Sequence, residues 1–137
     1  GLAAATDYCM ATKYSSIKPS ELNIGIGPFV VGPAIERKIG LSAMSQIAIN
    51  ANTFFDSEWA RNKGLYTEVF SDVDALDAGI AELTKLLAQY NPDAMVRMKK
   101  MLWAGTEHWD ELLLERAAIS GELVLSDFTR ETLKRFA

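Results

Sequence analysis

The hydrophobic pattern of the chain changes at Asp72. Beyond it, Leu76, Ile80, Leu83, Leu87 and Tyr90 recur at intervals of 4, 3, 4 and 3, the spacing of one α-helical face. Before it, glycines, prolines and short β-branched or aromatic runs interrupt every helical period. A chain of 137 residues with this switch is expected to be a single α/β unit in two parts. Residues 1–72 form a mixed α/β core, and residues 73–137 form an all-helical C-terminal region.

Within the first part, the Ala-rich residues 2–6 read as the last turns of a helix begun upstream, because so short a helix is unstable alone. Tyr8-Cys9-Met10-Ala11-Thr12 and Ser15-Ser16-Ile17-Lys18 read as strands, the second ended by Pro19. Three glycines and two prolines lie in the apolar run from Leu22 to Pro33, which is expected to be a buried, irregular loop. Pro33 opens a short helix that Gly40 stops, Ser42 caps the next, and residues 53–55 form a brief strand. Asp56 or Ser57 caps a helix ending at Gly64, and residues 66–70 alternate as a strand. In the second part, Asn91 and Pro92 open a new helix ending near Gly105. Residues 109–124 form a longer one with Gly121 inside it, and a last helix carries Phe128 and Leu133.

Composition excludes several classes. A net charge of −4 gives no basic face for neutralising phosphates, so no nucleic-acid partner is expected. No apolar run reaches the roughly 18 residues of a membrane span. Cys9 is the single cysteine, so neither an internal disulfide nor a cysteine-rich zinc site can form; a cytoplasmic, reducing compartment suits it. In its apolar setting Cys9 is expected to be buried and inert, since the only histidine is far along the chain. The chain opens on Gly1 with no initiator Met, and is expected to be the latter part of a longer polypeptide.

Few residues carry chemistry. Gly25-Ile26-Gly27-Pro28 has the wrong glycine spacing for a dinucleotide loop and lacks the Lys-Ser/Thr of a P-loop. Glu107, His108 and Glu111 share adjacent helical turns, but with no second histidine they read as a solvated face, and no metal site is expected. Met95, Met98 and Met101 read as packing, and Lys99 and Lys100 as solvated charges. Glu21 stands out because it introduces the apolar glycine-rich run. That setting solvates a carboxylate poorly, which is the condition general acid–base chemistry uses; the alternative is a glutamate capping a surface turn.

The stretch Glu21-Leu22-Asn23-Ile24-Gly25-Ile26-Gly27-Pro28, followed by the helix that Gly40 closes, resembles the active-site segment of the enoyl-CoA hydratase/isomerase (crotonase) superfamily. Gly1-Leu2-Ala3-Ala4-Ala5-Thr6-Asp7 is similar to the end of that family's glycine-rich helix, and Trp59-Ala60-Arg61-Asn62-Lys63-Gly64-Leu65 to its helix–strand unit. The resemblance implies the latter part of a crotonase-like ββα spiral followed by the helical region that covers the active site and builds trimers. It also implies chemistry on an acyl-CoA thioester with no separate cofactor, assembly as a homotrimer or hexamer, and a missing N-terminal half of the same polypeptide.

By the same resemblance Glu21 is the catalytic carboxylate, and Gly1, Gly25, Pro28 and Phe29 are substrate-binding. Lys134, Arg135 and Phe136 stand where the last helix reaches the CoA nucleotide. The position of the family's second catalytic glutamate falls on Gly1, which has no side chain, so a double-bond shift is expected over hydration. The competing expectation is a non-catalytic assembly module or an inactive fragment.

Overall fold

The computed structural model describes residues 1–135. Four short strands and six helices follow in the order β1 (Met10–Thr12), β2 (Ser16–Ile17), a 3₁₀ turn (Glu21–Ile24), α1 (Gly32–Ile49), β3 (Phe55–Asp56), α2 (Ser57–Asn62), β4 (Glu68–Phe70), α3 (Val73–Leu87), α4 (Pro92–Leu102), α5 (Trp109–Val124) and α6 (Asp127–Leu133). β1 pairs with β4 in parallel, Ala11 opposite Val69. β2 pairs with β3 antiparallel, Ile17 opposite Phe55. The first residues form a turn, in which the Ala5 N–H donates to Gly1 O at 3.0 Å with α-helical spacing.

Asp56 and Asn91 cap where the sequence places them, Asp72 caps α3 without a sequence expectation, and Ser42, expected to cap a helix, lies inside α1, which continues past the Gly40 kink. Asp56 Oδ1 accepts the Trp59 N–H at 2.8 Å, and Asp72 Oδ1 the Ala75 N–H at 2.8 Å. Asn91 Oδ1 accepts the N–H groups of Asp93 at 2.9 Å and Ala94 at 3.2 Å. Gly40 interrupts α1 with φ 78° and ψ 159°, backbone angles open to glycine alone. The kink lets Ile35 and Ile39 on one side, and Ala43, Met44 and Ile47 on the other, enter the same core.

That core lies wholly in the first part of the chain. Its buried apolar members run from Ala4 to Tyr66, with Ala4, Ile47 and Ala60 the most completely enclosed. Beyond Tyr66, the buried residues among those described are Thr129 and Thr132, both on α6. α3 docks on the strands by seating the Phe70 ring against Gly79, where an added Cβ would lie 2.5 Å from Phe70 Cζ. α4 is tied to the core by polar groups: Lys99 Nζ reaches Asp7 Oδ2 at 2.6 Å, the Trp103 indole N–H donates to Asp7 Oδ1, and Arg37 donates to the Leu102 carbonyl. The Arg37 guanidinium also lies 4.6 Å from the Trp103 ring centroid.

Three further sequence expectations change. The stretch after Glu21 is a 3₁₀ turn and a loop that is mostly half-buried rather than buried; Leu22 and Val30 are exposed, and α6 packs against the turn. Met98 and Met101 are exposed rather than packed, since α4 meets the core through its charged and aromatic side. Cys9 is half-buried at the entry to β1, where its N–H donates to Thr67 Oγ1 at 3.2 Å.

Candidate active site

Pro19 ends β2 and turns the chain into the 3₁₀ segment, which places Glu21 in its first turn. The Glu21 carbonyl accepts the Ile26 N–H at 3.0 Å, closing the turn below the side chain. Gly25 makes the turn possible in two ways. Its φ is 83°, and an added Cβ would lie 2.5 Å from Phe128 Cδ1 and 2.8 Å from Thr129 Oγ1 of α6. α6 therefore presses on the end of the Glu21 turn, anchored by the fully buried Thr129, whose hydroxyl donates to Leu123 O at 3.0 Å.

Glu21 lies in the wall of a cavity of about 240 Å³ together with Gly1, Ile17, Lys18, Val31, Ile35 and Ile47. The walls are predominantly aliphatic. Glu21 Oε2 is buried there with no hydrogen-bond partner. A carboxylate oxygen withdrawn from water without a donor is costly to folding, and such atoms in native proteins call for a functional explanation. In the lining of the same cavity, position 1 has no room for a side chain: a Cβ on Gly1 would lie 2.7 Å from Val31 Cγ1.

The structure thus brings Glu21 and Gly1 into one cavity and leaves Gly25, Pro28 and Phe29 outside its lining. Gly25 lies under α6, and the Phe29 ring folds back over Gly27, where an added Cβ would sit 2.7 Å from Phe29 Cζ. Lys134 is at the end of α6, its Nζ 2.6 Å from Glu131 Oε1, and neither it nor Arg135 lines the Glu21 cavity. Phe136 lies outside the described residues.

Glu107 is exposed, and backbone N–H groups, its own and that of Gly105, hold its carboxyl below the ordinary range. Among the described residues no group of three or more His, Cys, Asp or Glu is placed to hold a metal ion. The strongest charged cluster is Asp7, whose carboxyl is lowered by the hydrogen bond from Lys99, then by that from Trp103 and by the charges of Lys99 and Lys38. This cluster joins α4 to the core.

Sequence reasoning passed over two contributors. Lys18 stands three residues before Glu21 and lines its cavity, but a lone lysine beside a proline gives no signal of that. Thr129 had a local signal, since Ser126 and Thr129 have N-cap and N3 spacing, yet its burial against the Glu21 turn depends on a contact across the fold.

Comparisons with known proteins identify the family and the fold. The enoyl-CoA hydratase/isomerase family profile matches residues 1–136. No curated protein matches significantly. An enoyl-CoA hydratase from Mycobacterium avium superposes with a TM-score of 0.89 at 27% identity, covering 98% of this chain and 53% of that one. An enoyl-CoA hydratase/isomerase from Pseudoalteromonas atlantica T6c gives a TM-score of 0.89 at 19% identity, covering 98% and 54%. An enoyl-CoA hydratase from Bacillus halodurans gives 0.88 at 20% identity, again covering 98% and 54%. These last two similarities speak for the fold alone. The chain spans about half the length of the solved structures it matches. With its spiral-derived α/β core, its helical extension and a profile match over nearly its whole length, the chain belongs to the enoyl-CoA hydratase/isomerase family.

Proposed function

We propose that the protein moves a proton on an acyl-CoA thioester, shifting a carbon–carbon double bond, with Glu21 as the proton carrier. The observation that carries this reading is the buried, unpartnered Glu21 Oε2 in a small aliphatic cavity. Glu21 takes a proton from one carbon of the acyl chain and returns it to another, so the double bond migrates and no atom is gained or lost. The thioester oxygen becomes enolate-like in between, and backbone N–H groups stabilise it, one of them in the turn at Gly1. The absence of space for a side chain at Gly1 supports a single-carboxylate shift over hydration with two acids. CoA enters as part of the substrate and no further cofactor is needed; Lys134, Arg135 and Phe136 are proposed to meet its nucleotide.

Glu21→Gln, assayed in the protein with the polypeptide that precedes this segment, is expected to abolish turnover of enoyl-CoA while leaving thioester binding nearly intact. Unchanged turnover would remove the role from Glu21. Accumulation of a 3-hydroxyacyl product in place of the migrated alkene would overturn the double-bond shift.

A second reading is an assembly module without catalysis. It is favoured by one observation: no residue of α3, α4 or α5 is buried, so the helical region offers its apolar side chains to partners. A homotrimer or hexamer that forms equally in wild type and Glu21→Gln, with no turnover in either, would support it.

A further inference from the structure

The Glu21 cavity holds a second charged residue that the proton-transfer scheme does not use. Lys18 lines it, half-buried, and the rigid Pro19 separates it from the Glu21 turn. Ion pairs among the described residues involve Lys99, Arg130 and Lys134, so Lys18 is paired neither with Glu21 nor with any other described carboxylate. Its Nζ rests instead 4.9 Å from the centroid of the Phe54 ring, which is itself 68% exposed. The ammonium thus lies over the face of an exposed ring beside the aliphatic cavity, where it can meet an anionic group of a ligand that extends out of those walls. A neutral acyl chain would satisfy Ile17, Val31, Ile35 and Ile47 and give Lys18 no ionic partner.

We infer that Lys18 is an anion-binding, specificity-determining residue of this cavity, selecting a ligand that carries a negative group beside the portion entering the aliphatic walls. This rests on the reading of the Glu21 cavity as the substrate site. The anion has two chemical sources, a carboxylate at the end of the acyl group or a phosphate of the thioester carrier. In either case Lys18 supplies a charge-assisted contact that a neutral, phosphate-free thioester cannot make. It takes no part in the proton transfer.

The test uses unreactive thioesters, so that it does not depend on turnover. Binding of succinyl-CoA, butyryl-CoA and the N-acetylcysteamine thioesters of both acids is measured by calorimetry for wild type, Lys18→Met and Lys18→Arg. Methionine keeps the unbranched stem and removes the charge. The expected result is about a tenfold loss of affinity in Lys18→Met for the anionic probes, restored by Lys18→Arg and weakened by added salt. A loss confined to the two succinyl thioesters assigns the anion to the acyl group. A loss confined to the two CoA thioesters assigns it to the carrier phosphate. Equal affinities in wild type and Lys18→Met, an equal loss for all four probes, or no binding of any of them to wild type overturns the inference. If Glu21→Gln leaves turnover unchanged while Lys18→Met still weakens the anionic probes, the proton-transfer reading fails and the role of Lys18 stands.

Discussion

At the residue scale, Glu21 and Gly25 show opposite costs. The Glu21 carboxylate gives up water and gains no partner for Oε2, so the folded state loses no hydrogen bond when that charge is removed. Glu21→Gln is therefore expected to melt no lower than wild type, which a thermal denaturation curve checks, even as turnover disappears. Gly25 is the reverse case, a residue without chemistry that the fold cannot replace. Gly25→Ala places a Cβ against Phe128 and Thr129 at a positive φ, and an expected loss of about 2 kcal/mol follows from backbone strain and overlap together. Denaturant unfolding measures it. The glutamate was legible from its apolar surroundings in the sequence. The close approach of α6 to Gly25 was not, because more than 100 residues of chain separate them and no local pattern encodes the contact.

At the scale of elements, α3 and α4 are attached by different physics. α3 packs through Phe70 on Gly79. An exposed glycine inside a helix normally gains about 1 kcal/mol on mutation to alanine, but here the added methyl meets the ring, so Gly79→Ala is expected to lower stability, read in the same denaturant experiment. α4 hangs on Asp7, which accepts from Lys99 and Trp103 and lies near the Lys38 charge. The Asp7 carboxyl is held below its ordinary value of 3.8, so its contribution to docking α4 is fully present above that pH. The contribution fades as pH falls through the still lower folded-state value. Asp72, which caps α3 and also accepts from Ser71, is shifted the same way, with the Ala75 N–H the leading cause. Hydrogen exchange below pH 4 is expected to speed first in α3 and α4 while the core around Ile47 stays protected. In Asp7→Asn, α4 is expected to exchange faster at neutral pH too; uniform protection across both variants and pH values would show that the polar contacts do not hold these helices.

At the scale of the whole molecule, burial is uneven. The first part owns the apolar core, and the region beyond Asp72 leaves Tyr90, Met101, Leu114, Leu125 and Phe128 exposed. An apolar cavity of about 640 Å³ lies between α3 and α4, walled by Leu83, Leu87, Met95, Val96 and Met98. Apolar surface on this scale marks interaction sites. The protein is accordingly expected to sediment as an assembly larger than one copy, and Leu114→Glu or Leu125→Glu to shift it toward smaller species without altering the far-ultraviolet signature of its helices. A wild-type chain that sediments as a monomer with a single cooperative melt would contradict this.

The sequence by itself determined much of the local structure: the switch at Asp72, the caps at Asp56 and Asn91, the break in helical geometry at Gly40 and the glutamate heading the glycine-rich turn. Each is written in a few neighbouring residues, because capping, glycine backbone angles and helical period are short-range effects. Tertiary structure alone decided which residues share the Glu21 cavity. It put Gly1, Lys18 and Val31 there and left Gly25, Pro28 and Phe29 out, and it brought α6 over the turn. The reason is physical: a cavity wall is set by how a kinked helix, two strand pairs and a distant helix pack together, and packing joins residues that have no relation along the chain.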